Sequence, residues 1–164
     1  MTKYTLVPPE GIYINDRQPS DIVGLHTLLQ REGCVKSENL FTDEQKVVAL
    51  DNIQKRIAQI NQTNRKHSMD ILLCVAPKKM ILADAKFNAK SINNIKKADI
   101  DDKMRESRDM LSFDNYTLDY NKCYILFNNI ILQPSQKNKL TRLFGERPKY
   151  QFKTAVEFYN LFEH

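Results

Sequence analysis

Asp70, Asp84 and Lys86 stand at the ends of two apolar runs in the stretch SMDILLCVAPKKMILADAKFNAK, residues 68–90. The runs ILLCV and MILA flank an Ala-Pro-Lys-Lys connection, so the charged groups fall at the ends of two buried strands. Residues two apart on a strand share a face, which puts Asp84 and Lys86 on one side and Ala85 on the other. A short hairpin returns the end of the second strand to the start of the first, which sets Asp70 beside them. Two adjacent carboxylates repel, and a hard divalent cation relieves the repulsion. Mg²⁺ (or Mn²⁺) is the expected ion, because one or two carboxylates plus water and substrate phosphate suffice to hold it. The Lys86 ammonium is then free to act as a point charge beside a phosphate or an attacking water. A plainer reading has Asp70 capping the start of its strand while Asp84 and Lys86 pair weakly at a solvated strand end.

The elements that must position these groups are predicted as follows. Asp70–Val75 and Met80–Phe87 are strand-length and apolar on both faces, as expected of interior strands. Before them, Thr42 and Gln45 have capping-box spacing, and Val47, Leu50, Ile53, Ile57 and Ile60 recur at helical spacing, predicting a helix over Asp43–Asn61. Glu44 extends that stripe toward the N-terminus. Further upstream, Tyr4–Val7 and Ile12–Ile14 read as extended, separated by a turn over Pro8–Gly11, and Asp21–Glu32 reads as a helix capped by Ser20 and closed by Gly33. Downstream, Ile92–Leu111 reads as helix, Ser112–Asp119 as loop and Cys123–Phe127 as a buried strand. Pro134–Phe144 reads as a helix stopped by Gly145, and Tyr150–Phe152 as an edge strand. A second capping box at Thr154 and Glu157 precedes a final helix whose aromatics look like packing. Helices alternating with buried strands argue for an α/β fold, a mixed central sheet flanked by helices.

The pattern Asp70 … Asp84-Ala85-Lys86 resembles the active site of the PD-(D/E)xK phosphodiesterase superfamily, the restriction-endonuclease-like and Holliday-junction-resolvase-like nucleases. The resemblance implies that Asp70 and Asp84 bind the divalent metal with the Ala85 carbonyl, and that Lys86 positions or activates the hydrolytic water. It also implies a further acidic ligand from a preceding helix, a place that Glu44 fits by helix face and chain order, with Asp51 as the alternative. Met69 stands where the family often carries proline. The core of helix, sheet, helix and strand would cover about residues 42–130, with residues 1–41 as an N-terminal extension of a single domain. The three-residue pattern also occurs at Glu44-Gln45-Lys46 and Asp101-Asp102-Lys103. Those copies fall in predicted helices, where residues two apart diverge around the cylinder.

Charge and composition agree with a polyanionic partner. The chain has 164 residues and a formal net charge of +5. Residues 64–98 hold 8 basic and 2 acidic side chains, and residues 121–164 hold 7 and 3, whereas residues 99–120 hold 3 and 7. A nucleic acid, DNA or RNA, suits the basic segments. Lys90, Lys96 and Lys97 follow the motif and are the candidate phosphate contacts. Lys78 and Lys79 sit at the hairpin turn and read as solubilising. Lys137, Lys139 and Arg142 would share one helix, Glu106 could reach the site from another, and His67 and His26 read as ordinary loop and helix histidines. No apolar run approaches the length of a membrane helix, and no signal-peptide core opens the chain, so a cytoplasmic location is expected. Cys34, Cys74 and Cys123 are odd in number and widely spaced, which suggests neither a disulfide framework nor a zinc site. A homodimer or a protein partner is compatible with all of this, as is a non-catalytic binding module, an immunity or regulatory protein on the same scaffold.

Overall fold

The computed structural model describes residues 2–10, 14, 17–65, 67–111, 116–145 and 149–164. In chain order the elements are β1 (Ile22–Gly24), α1 (Leu25–Arg31), β2 (Lys46–Ala49), α2 (Leu50–Asn61), β3 (Ile71–Val75), β4 (Lys79–Ala85), α3 (Lys97–Asp109), β5 (Thr117–Phe127), α4 (Pro134–Phe144), β6 (Tyr150–Thr154) and α5 (Ala155–Tyr159). Among the described residues, six strands form one mixed sheet in sequence order. β1 to β4 are antiparallel neighbours, while β5 and β6 run parallel to β4. Parallel neighbours need crossover connections, and α3 and α4 supply them.

The sheet is covered on both faces. Val48, Leu72, Leu82 and Ile125 point to one side, where they meet Ile53 of α2, Ile100 and Met104 of α3, and Leu140 of α4. Val47, Ile71, Ile81 and Leu126 point to the other, against Leu25, Leu28 and Leu29 of α1 and Phe158 of α5. This is the mixed α/β architecture expected from the alternating pattern. Among the described residues, no helix is long and apolar enough to cross a membrane.

Two of the predicted helices begin with a strand instead. Residues 46–49 (KVVA) form β2, and the helix over this region starts only at Leu50. Two adjacent valines that face opposite layers are better used between β1 and β3 than on one helical stripe. The Thr42–Gln45 pair does close on itself, with the Thr42 amide donating to Gln45 Oε1 at 2.9 Å, but it shapes a turn into the strand. Likewise Asp21–Glu32 divides into a 3-10 turn at Pro19–Asp21, the edge strand β1 and the short helix α1. Gly24 joins the last two, and a Cβ there would lie 2.2 Å from Asp43 Oδ1. Asp43 accepts from the Thr27 amide at 2.8 Å and the Thr27 hydroxyl at 2.6 Å, so it caps α1 from outside that helix. Gly33, at φ 100°, ends α1 as anticipated.

The remaining differences are smaller. Ile92–Leu111 becomes a 3-10 turn at Ile92–Asn94 followed by α3. Thr117–Asp119, expected in a loop, belong to β5, while residues 112–115 lie outside the described residues, as do Gly11, Ile12 and Tyr13 of the N-terminal turn and second extended segment. Tyr4 and Leu6 are extended as expected and bridge to Phe162 and Val75. The final helix is shorter than anticipated and stops at Tyr159, though its Thr154–Glu157 capping box is complete. Residues 22–31 are built into the same sheet and core as the residues that follow. β1 extends the sheet, and α1 covers one face of it.

Candidate active site

β3 and β4 pair in the register Ile71↔Ala83, which places Asp70 opposite Asp84 one step beyond the ladder. Side-chain alternation sends both carboxyls to the face covered by α2, α3 and α4, together with Lys86. The two carboxyls touch, and Asp70 Oδ2 also accepts the Ala85 amide at 2.7 Å. Asp84 is 0 % exposed and Asp70 8 %. Lys86 Nζ lies 3.0 Å from Asp84 Oδ2. Asp70, Asp84 and Lys86 are therefore brought together, and Ala85 joins them through its amide.

Two lysines, not one, balance Asp84. Lys103, on the second turn of α3, places its Nζ 3.2 Å from each Asp84 oxygen. The sequence sets Asp101-Asp102-Lys103 aside because residues two apart diverge around a helix. One signal was present, since Lys103 sits between Ile100 and Ser107 on the buried side of α3. Burial opposes the charge on Lys103, but Asp84 and Asp70 outweigh it and hold its pKa above the ordinary lysine value. Asp70 is pushed up to about 8, first by burial and then by the negative charge of Asp84, with the Ala85 amide opposing both.

Glu44 does not reach this centre. It lies exposed in the turn before β2, whereas the far end of β2 adjoins Asp70, whose carbonyl accepts the Leu50 amide at 3.2 Å. The reason is the β2 strand itself, whose extended rise carries residue 44 away from the carboxylates. Two other acids stand near. Asp51, on the first turn of α2, lines a pocket of about 360 Å³ with Arg65, His67, Ser68, Asp70 and Lys103, and is ion-paired to Arg65. Glu32, just past α1, lines a cleft of about 280 Å³ with Ala85, Lys86, Asn88, Lys96 and Asp99. Burial, with Asp51 and Asp84 adding to it, raises the Glu32 pKa against the pull of Arg31.

Of the candidate phosphate contacts, Lys96 lines the Lys86 cleft. Lys97 pairs with Asp101 at 2.7 Å and borders the next groove, with Lys139 and Leu143. Lys90 is exposed and lines neither cleft beside the carboxylates. Lys78 and Lys79 are exposed at the far end of the hairpin. Lys137 is engaged by Glu157 at 2.6 Å. Glu106 keeps one carboxylate oxygen buried without a hydrogen-bond partner and lines neither cleft.

Among the described residues, no three His, Cys, Asp or Glu side chains are grouped closely enough to hold a metal ion. The donor set still fits a hard cation of the Mg²⁺ type, which needs only one or two carboxylates from the protein. The contact between two buried carboxyls, one of them driven to about 8, is the charge crowding that such an ion relieves. Comparison of the chain with models of known families, with curated proteins and with solved structures yields no match in any of the three.

Proposed function

We propose that the chain is a metal-dependent endonuclease or related phosphodiesterase of the PD-(D/E)xK type, hydrolysing nucleic-acid phosphodiester bonds, with DNA preferred to RNA on the habit of that superfamily. The observation that carries this reading is the meeting of Asp70, Asp84 and Lys86 at one end of a hairpin. The run from α1 through β2–β4 to α3 and β5 also follows the helix, sheet, helix and strand that the resemblance implies, beginning near residue 25 instead of 42.

Asp70 and Asp84 would hold Mg²⁺ or Mn²⁺, which when bound supplies positive charge to a water and to the scissile phosphate. The chain's own groups do the rest. The Ala85 amide fixes the Asp70 carboxyl in place. Lys86, 25 % exposed at its side chain, stabilises negative charge as it develops on the phosphoryl group. Glu32, which lines the same cleft, would take a proton from the attacking water. Lys96 at the cleft margin would engage an adjacent phosphate.

One observation favours a second reading. Lys86 and Lys103 already neutralise Asp84, so the cluster is electrostatically complete as the core of a non-catalytic binding module. Thermal melting with Mn²⁺ separates the two, run beside nicking of supercoiled plasmid and cleavage of single-stranded DNA and tRNA. The enzyme reading expects Mn²⁺ to raise the melting temperature of the wild type but not of Asp70→Asn, and cleavage to be lost in Lys86→Ala. Indifference to Mn²⁺ together with no cleavage would leave the binding module.

A further inference from the structure

We propose that Lys103 is a second catalytic lysine, acting on the leaving oxygen of the phosphodiester while Lys86 serves the side from which water attacks. The assignment rests on the phosphodiesterase reading and adds a residue and a direction to it. In-line displacement at phosphorus sets the entering and leaving oxygens on opposite sides of the phosphoryl group. Asp84 carries one ammonium toward each of two clefts that share no lining residue: Lys86 with Glu32, Asn88 and Lys96, and Lys103 with Asp51, Arg65 and His67. Asp84 is itself buried, so a phosphate seated at Asp70 would meet Lys103 in the pocket that Asp70 lines and Lys86 from the neighbouring cleft.

The chemistry of the two clefts gives the direction. The Lys86 cleft contains the carboxylates of Glu32 and Asp99, which suit a water that must lose a proton. The Lys103 pocket offers donors from Lys103, Arg65 and His67, and of its two carboxyls Asp51 is engaged by Arg65 and Ser68 while Asp70 would be taken up by the metal. Donors without a free base suit an oxygen that is gaining negative charge. An ammonium has three N–H groups, so two contacts to Asp84 leave Lys103 one for that oxygen. In the step itself, the bond from the water oxygen to phosphorus forms and the bridging P–O bond breaks. The departing oxygen keeps the electron pair of the broken bond, is held by the Lys103 N–H, and takes a proton from solvent. The attacking water gives its proton to the Glu32 carboxylate in the Lys86 cleft. Lys103 stays an ammonium throughout.

The test compares Lys103→Met, Lys103→Arg and Lys86→Met in the full chain with Mn²⁺. The substrates are two labelled oligonucleotides of one sequence, with oxygen or sulfur as the bridging leaving atom at the mapped cleavage position. A thiolate leaves without help. Lys103→Met should therefore lose about 100-fold on the oxygen substrate but less than about fivefold on the sulfur substrate. Lys103→Arg should recover most of the oxygen rate, and Lys86→Met should lose equally on both substrates. Oligonucleotide affinity by anisotropy in EDTA and the melting temperature of Lys103→Arg should stay near wild type. Equal losses of Lys103→Met on both substrates, with an active wild type, would overturn the role of Lys103 and leave the nuclease reading standing. A wild type that cleaves neither substrate would remove the nuclease reading and this assignment with it.

Discussion

Lys103 reaches Asp84 from a helix 19 positions further along the chain and contacts both of its carboxylate oxygens at 3.2 Å. With Lys86 on the same group, the fully buried Asp84 sits between two cations. Removing it leaves both ammoniums partly desolvated, close together and without a counter-charge. Breaking a buried pair from one side costs several kcal/mol, and here the exposed portions of the lysines soften the loss. Asp84→Asn is expected to lower stability by about 2 kcal/mol in urea denaturation. The double variant Asp84→Asn/Lys103→Met should recover part of that. A loss unchanged by the second substitution would mean that the lysines do not depend on Asp84. Asp84 variants are thus poor probes of catalysis alone, and Asp70→Asn and Lys86→Ala are cleaner.

Glu44→Ala should leave Mn²⁺-induced stabilisation and plasmid nicking within about twofold of wild type, since Glu44 is exposed beyond the far end of β2. Glu32→Gln should weaken both, because Glu32 shares the Lys86 cleft. The opposite pattern would restore Glu44 to the site and remove Glu32 from it.

The contrast between these two acids shows what a sequence exposes and what it hides. The Asp70–Asp84–Lys86 cluster was legible because everything that builds it is local: two apolar runs, a proline-containing connection and the two-residue period of a strand. Lys103 carried only the signal of its helix face and Glu32 carried none, since their places at the site depend on how α3 and α1 cross the sheet. The misplacement of Glu44 has a different cause. Val47 and Leu50 share helical spacing by coincidence, and the adjacent Val48 belongs to the opposite layer of the core. Two neighbouring valines buried on opposite faces are a strand signal that outweighs the spacing.

Gly24→Ala should destabilise the fold by about 1–3 kcal/mol, as overpacking usually does. The added methyl would meet Asp43 Oδ1 at 2.2 Å, and Asp43 cannot retreat without releasing Thr27 at the start of α1. Asp43→Ala alone should cost about 1 kcal/mol, the usual cost of a lost cap. In the double variant the two losses should combine to less than their sum, since Asp43 Oδ1 and Cγ are gone and only the Asp43 Cβ, at 2.5 Å, still crowds the added methyl. Full additivity in thermal or urea melts would show that Gly24 and Asp43 do not interact.

Asp70 couples the site to pH in the metal-free protein. Its folded pKa of about 8 lies well above the 3.8 of an ordinary aspartate, so the folded chain keeps a proton there that the unfolded chain has released. The sign follows directly: this contribution is fully present below about pH 4, declines as pH rises, and is gone above about pH 8. Asparagine imitates the protonated carboxyl and cannot ionise. In EDTA, Asp70→Asn should therefore come nearest to wild type near pH 4, gain on it steadily as pH rises, and exceed it near pH 8.5 by about 1–3 kcal/mol. For a chain of this size that is a melting temperature several degrees higher. A stabilisation by Asp70→Asn at high pH would also be consistent with a carboxylate retained for chemistry at the expense of the fold. Melting curves of the two proteins that run parallel from pH 5 to pH 8.5 would show that Asp70 ionises normally, and that the carboxyl pair is not crowded.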